Sequence, residues 1–380
     1  MLVLTASPAG GCKKIKRGDY MKKTLAFILA FIILTLSAVY VSAADADING
    51  ANWMSSVDGS LPVTAINMPG SHDCATQYIY ASLFARTQSL SVLQQLYSGV
   101  RYLDVRLKVS GENILAVHSF LNCKKSIGLF PENLTAKDIV SDCRSFLEQN
   151  PGETVLFLLK QEDTKEDTEL FSKFYDELIA PCPGLWYLEN RIPNLDEVRG
   201  KIVLLRAADA DSARFDDSNS GLNFENYPYI ESTDIDDFRI VSIKKRERGV
   251  VGYMYVQDSY MVEGTKKTET IANFFESGLL KCDFNICCTN AHNKKSPYAN
   301  AKEINAFLSS YEFKEGKTYG IVVMDFVTKE LCERIYMTNS PVMTNSPNAA
   351  ETPKFSESYA FLGELFEIIR DFILKIIAVY

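Results

Sequence analysis

From Asn52 to about Asn339 the chain keeps repeating one unit: a short apolar run rich in β-branched residues, a polar residue at its end, then a stretch with helical spacing. The runs occupy 63–68, 100–107, 114–118, 155–159, 202–205, 252–256, 284–288 and 319–324. Segments this short and apolar suit strands buried on both faces, and eight of them interleaved with helices suit a closed parallel barrel. The helical stretches are 91–97, 136–149, 168–179 and 271–280. The second shows its limits most plainly. Thr135 offers an N-cap, Ile139, Val140, Cys143, Phe146 and Leu147 form one apolar face, and Asn150-Pro151-Gly152 stops the helix. The expected fold class is α/β, a (β/α)8-like barrel over residues 44–337.

Polar residues fall at the ends of these runs. His72 and Asp73 follow the first, Asp104 and Arg106 lie late in the second, and His118 ends the third. Lys160 follows the fourth, Arg206 the fifth, Asp258 and Tyr260 the sixth, and Asp325 the eighth. In a parallel barrel such ends emerge on one face, where these folds build active sites. One charge after a strand carries no information, since a strand must end in something polar. Seven runs ending in ionisable groups, two of them in histidine in a chain with only three, mark a site. Two imidazoles and a guanidinium suffice for phosphodiester cleavage without a metal. One ring takes a proton from the attacking hydroxyl, the other gives one to the leaving oxygen, and the guanidinium neutralises the phosphoryl oxygens. Free imidazole titrates at about pH 6.5, so base and acid coexist at neutral pH only if neighbours push the rings apart; a carboxylate beside each does so.

The flanks read differently. Met21-Lys22-Lys23-Thr24 is a basic opening, 25–39 a short apolar run, and Val41-Ser42-Ala43 a small-residue cleavage site. This makes 21–43 a secretory signal peptide, sets the start of translation at Met21 and leaves 1–20 as a start-site artefact; an uncleaved anchor is the alternative. Removing residues 1–43 takes away six basic residues and one acid, which leaves 34 basic and 47 acidic residues, a net charge of −13. A secreted chain this acidic is a poor partner for nucleic acid and has no bulk attraction to anionic membranes. Eight cysteines remain, an even count that permits disulfides in an exported protein. No CxxC pair exists, and Cys287-Cys288 near His292 reads as structural rather than metal-binding. Asn133-Leu134-Thr135 is a glycosylation sequon whose threonine reads as the helix cap. Downstream, Met337-Thr338-Asn339-Ser340-Pro341 is nearly copied by Met343-Thr344-Asn345-Ser346-Pro347, so 338–355 reads as a linker. Residues 356–380 form an amphipathic pattern, with Phe361, Leu365, Ile368, Ile369, Phe372 and Ile376 on one stripe. Such a helix can associate with a membrane or partner, or dock on its own domain.

Three phrases carry a resemblance. They are Asn52-Trp53-Met54-Ser55 followed by Met68-Pro69-Gly70-Ser71-His72-Asp73; Gly99-Val100-Arg101-Tyr102-Leu103-Asp104-Val105-Arg106; and Asn150-Pro151-Gly152-Glu153-Thr154-Val155 before Leu158-Leu159-Lys160. From Trp53 to about Asp325 the chain resembles the X domain of bacterial phosphatidylinositol-specific phospholipase C. The resemblance implies an irregular TIM barrel with His72 as general base, Asp325 as its orienting carboxylate, and His118 as general acid supported by Asp73. It makes Arg106 the phosphate-binding arginine, with Asp104 in possible support. Lys160, Arg206, Asp258 and Tyr260 match its inositol-binding positions, more loosely after Lys160 because 207–250 is longer than the family needs. Some relatives place calcium near Arg106; here a fixed positive charge fills that role, so no metal and no cofactor is expected. The implied partners are phosphatidylinositol or inositol-lipid anchors at a membrane surface, and the implied localisation is secreted. Two rivals stand beside this reading: a metal-dependent barrel of the glycerophosphodiester phosphodiesterase kind, and a lipid-binding surface module without catalysis.

Overall fold

The computed structural model describes residues 50–162, 167–224, 284–289 and 296–339, with short pieces at 238–240, 256–258, 268–269, 271–272 and 275–276. Residues 21–43, read above as a signal peptide, most of the 252–256 run, Tyr260, His292 and everything past Asn339 lie outside the described residues. In chain order the strands are β1 Met68–Ser71, β2 Tyr78–Ile79, β3 Tyr102–Ser110, β4 Asn113–His118, β5 Leu121–Lys124, β6 Val155–Gln161 and β7 Trp186–Tyr187. They continue with β8 Ile202–Ala207, β9 Leu222–Asn223, β10 Phe238–Ile240, β11 Val256–Asp258, β12 Ile286–Cys288 and β13 Ile321–Met324.

A parallel ladder runs β12-β13-β1-β3-β6-β8-β9, with β7 beside the start of β8. Among the described residues β10 and β11 pair only with each other, antiparallel. The two ends of the parallel arc approach through the rings of Phe224 and Phe284, whose centroids are 5.5 Å apart. This is the irregular barrel expected, with one correction to its strand list. The run 114–118 is not a barrel strand. β4 folds back antiparallel on β3 and continues through β5 to β2. The reason is local: only Gly111 and Glu112 separate β3 from β4, and Gly111 takes a φ of +59°. A two-residue connection can make only a hairpin, whereas a parallel neighbour needs a crossover of about a dozen residues. The first run also starts late, since Val63–Ala65 is a 3-10 turn and the strand begins at Met68.

The helix Ala136–Gln149 forms as its sequence predicts. Thr135 accepts from Asp138 N while Asp138 reaches back to Thr135 N at 2.9 Å, so both orphan donors are satisfied. Of two helices without strong sequence signals, Lys329–Tyr336 packs against β1 and Pro297–Ser310 packs against Lys329–Tyr336. At the N-terminal end of β3, Arg101 is fully buried. It pairs with Glu153 at 2.7 Å, donates to the carbonyls of Leu96, Val100, Gly50 and Ala51, and lies over the rings of Trp53 and Phe146. Every donor is met, which a buried guanidinium requires. Seven described cysteines are unpaired, so none is in a disulfide; Cys282 lies outside the described residues.

The domain boundary moves as well. Thr338 and Asn339, assigned to the linker from the repeat, belong to the fold. Asn339 accepts from Asn67 N at 2.7 Å and donates to Asn67 O at 2.8 Å, while the buried Thr338 hydroxyl accepts from the Asn67 side chain. The first copy of the duplicated phrase is thus fastened to the residue that precedes β1.

Candidate active site

Register brings the site together. β13, β1 and β3 run level, with Met324 beside Ser71 and Ser71 beside Leu103. The next residues of each strand, Asp325, His72 and Asp104, therefore arrive side by side at the C-terminal end of the barrel. Two residues further up, Arg106 sits beside Lys160 of β6. Strand alternation turns Asp104, Arg106 and Lys160 to one face.

His72 is buried and contacted at both ring nitrogens. Nδ1 lies 2.8 Å from Asp325 Oδ1, and Nε2 lies 2.8 Å from Arg106 Nη2. A guanidinium can only donate, so Nε2 accepts and the proton resides on Nδ1, facing Asp325. Burial first, and then the Arg106 charge, hold the ring's pKa well below its ordinary value; Asp104 opposes them. His72 is thus a neutral imidazole with its lone pair aimed outward from the dyad.

Asp73 follows in a left-handed conformation, φ +43°, which turns its side chain back across the site. Its carboxylate approaches Arg106 Nε at 2.5 Å, His72 Nε2 at 3.2 Å and His118 Nε2 at 3.4 Å. Burial raises its pKa to about 6 against the opposing charges of Arg106 and His118. Burial also pushes Asp104 upward, but Arg106, 3.0 Å away, then His72 and Lys160, win and hold it well below the usual carboxylate range. Arg106 and then burial lower the pKa of Lys160.

His118 comes from the hairpin rather than the ladder. Its Nδ1 is 2.7 Å from the Ala85 carbonyl, which can only accept, so Nδ1 carries a proton and Nε2 faces Asp73. The next residue, Ser119, has φ +54° and donates its N–H to Glu162 Oε1 at 2.8 Å. The other Glu162 oxygen lies 3.3 Å from Arg106 Nη1. Sequence reasoning missed Glu162, although it stands two positions beyond Lys160, where alternation returns to the same face.

Not every anticipated residue joins. Arg206 pairs in register with Leu159, one position off Lys160, so it occupies the opposite face of its strand. Its guanidinium donates to the carbonyls of Ser220 (3.0 Å) and Ala208 and lies over Phe171. The correction has a simple cause: a charge at a strand end points inward or outward according to a single step of register. Asp258 lies in β11, opposite Phe238.

The donors of His72, Asp73 and Asp104 lie within 4.8 Å of one another, a spacing that suits a cation. The Arg106 guanidinium already touches all three, at 2.8, 2.5 and 3.0 Å. Its charge stands where a metal's would. The large apolar side chains exposed among the described residues are Tyr80, Phe84, Phe120, Ile127, Leu129 and Phe130, the last 96% exposed; Phe84 adjoins Ala85, whose carbonyl meets His118, and Phe120 lies two residues past His118.

Residues 67–207 match the family described as phosphatidylinositol-specific phospholipase C, X domain. The chain is 27% identical over 313 residues to a 1-phosphatidylinositol phosphodiesterase of Staphylococcus aureus, covering 77% of this chain and 86% of that protein. It is 24% identical over 345 residues to the 1-phosphatidylinositol phosphodiesterase of Listeria monocytogenes, covering 84% and 98%. Solved structures of the phosphatidylinositol-specific phospholipases C of these two organisms share the fold. The S. aureus structure superposes with a TM-score of 0.60 at 22% identity, over 77% of this chain and 98% of that one. The L. monocytogenes structure gives 0.57 at 20% identity, over 77% and 100%.

Proposed function

The chain carries a phosphatidylinositol-specific phospholipase C X domain in residues 67–207, and from that premise we propose that it cleaves phosphatidylinositol to diacylglycerol and inositol 1,2-cyclic phosphate. The observation that carries this reading is the pair of 2.8 Å contacts at His72. One fixes its proton toward Asp325, and the other sets its free lone pair beside the guanidinium that would hold the phosphate. His72 Nε2 takes the proton of the inositol 2-hydroxyl as that oxygen bonds to phosphorus. The bond from phosphorus to the diacylglycerol oxygen breaks, and doubly protonated His118 delivers a proton to it. Arg106 leaves Asp73 and Asp104 in part to grip the phosphoryl oxygens bidentately. Asp73 faces both rings and balances the imidazolium formed at either. Lys160, Asp258 and Tyr260 would hold the inositol hydroxyls.

The exposed rings of Phe84 and Phe120 and the exposed side chains of Ile127, Leu129 and Phe130 suit contact with a lipid surface. Residues 21–43 would direct export, and 356–380 would add a second apolar contact. A metal-dependent reading is favoured by one observation alone, the three clustered donors. Phosphatidylinositol micelles with purified protein in chelator, followed by phosphorus NMR, test both. Cyclic inositol phosphate should appear; its absence in chelator with recovery on calcium addition would favour the metal, and its absence under either condition would sink the activity.

A further inference from the structure

We infer that Gln88, which touches neither histidine ring and lies outside every motif above, is the residue that sets the distance between His72 and Asp325. The inference rests on the general-base role proposed for His72.

β1 and β13 are parallel, and their ladder ends at the bond from His72 N to Met324 O, 3.1 Å. A continuing parallel ladder would next send Phe326 N to His72 O. That bond is missing. Both chains turn away one residue past the dyad, Asp73 at φ +43° and Phe326 at φ +48°. The vacated positions are filled from the loop that follows helix Ser82–Ala85. Phe326 N donates to Thr87 O at 2.6 Å instead. Gln88 Nε2 donates to His72 O and to Met324 O, each at 2.9 Å, and Gln88 Oε1 accepts from Val327 N at 3.2 Å. One buried amide thus acts as the missing rung, donating to β1 and accepting from the chain beyond β13. Thr87 adds its hydroxyl to His72 O at 3.1 Å. The strands are pinned apart at their tips by a side chain of fixed length, and the two side chains that lean across the opening meet at 2.8 Å.

The same fold supplies a matched control. Gln95 is also fully buried, and its Nε2 also donates to two carbonyls, of Cys74 and Leu90, each at 2.8 Å, but it spans no part of the dyad. Loss of the Gln88 amide removes three buried hydrogen bonds and loss of the Gln95 amide two, so Gln88→Met should lower the melting temperature at least as much as Gln95→Met. Their kinetics should differ. On a monomeric short-chain phosphatidylinositol, Gln88→Met should lower kcat by roughly 10²-fold with KM nearly unchanged, as expected when reacting groups are displaced by about 1 Å. Gln95→Met should leave kcat unchanged. In an Asp325→Asn background, Gln88→Met should cost little further, because the geometry it maintains is already lost. Equal kcat for the two glutamine variants, or independent multiplication of the Gln88 and Asp325 effects, would overturn the inference. Should Gln88→Met not fold, Gln88→Asn keeps the amide, withdraws it by one methylene and enters the same comparison. A wild-type protein without activity would instead count against the proposed function.

Discussion

Arg106 Nη2 stands 2.8 Å from His72 Nε2, on the lone pair that the base must use. With the roles proposed above, the phosphate-binding group and the base occupy each other. Binding of a phosphodiester would then draw the guanidinium outward and free the ring in the same movement, tying base availability to phosphate occupancy. Asp73, Asp104 and Glu162 flank the guanidinium on its other edges and limit where it can go.

Activity should survive chelation, because the Arg106 charge already fills the space among His72, Asp73 and Asp104. Arg106→Lys should lose roughly 10²- to 10³-fold in kcat, since a point charge reproduces neither the planar grip nor the several contacts of the guanidinium. A strict calcium requirement in the phosphorus NMR assay would contradict this.

His72→Ala and His118→Ala should each lose turnover by several orders of magnitude, each proton transfer alone contributing about 10²–10⁴. A substrate with an activated leaving group should partly rescue His118→Ala and not His72→Ala, since only the acid's task is relieved. Equal rescue of both variants would reverse the assignment.

Asp73 gives stability and turnover opposite pH dependences. Its folded pKa of about 6 lies above the ordinary carboxyl value because burial disfavours the charge. Its stabilising contribution is therefore complete below about pH 4 and is lost as pH rises through about 6. Asp73→Asn should melt higher than wild type at pH 7–8, with the difference shrinking toward pH 4. Wild-type turnover should fall below about pH 6 as the carboxylate facing His118 is protonated, and the residual activity of Asp73→Asn should lack that limb. Melting curves and rate profiles across pH 4–8 read both.

Glu153→Ala should destabilise the fold by about 3–5 kcal/mol, because it strands the buried Arg101 charge and the N–H groups of Met54 and Ser55. Urea denaturation measures this. The active site lies at the other end of β3, so kcat of the folded fraction should hold.

Phe130→Ser with Leu129→Ser should reduce vesicle binding and action on bilayer substrate while leaving monomeric short-chain substrate unaffected. Sedimentation with phosphatidylinositol-containing vesicles checks it; equal losses on both substrates would assign these side chains to the fold.

Much of the site was legible because each residue needed only one local fact. His72 and Asp325 follow apolar runs, Asp104 and Arg106 lie late in one, and parallel pairing then fixes their level. What escaped depends on information that no single run holds. The 114–118 run is as apolar as its neighbours, and only the two-residue turn at Gly111-Glu112 betrays a hairpin. Arg206 looked like Lys160 because both follow apolar runs, and only the register of β6 with β8 separates their faces. Glu162 was hidden by attention to the first charge after a strand instead of the second. Gln88 had no signal, since a neutral side chain in a loop acquires its role only when two strands distant in sequence diverge around it. The polar repeat around Asn339 has the composition of a linker, yet the Asn339 amide bonds the main chain of a residue 272 positions away.

That last attachment gives the fold a mechanical property. Asn339, the last described residue, is bonded through its side chain to both the N–H and the carbonyl of Asn67, directly before the strand that leads to His72. Any pull on the chain past Asn339 would load the helix Lys329–Tyr336 through the main chain and, through these side-chain bonds, the residue before β1 at the same time. A protein anchored by its end would bear part of its load at the base of its own catalytic strand.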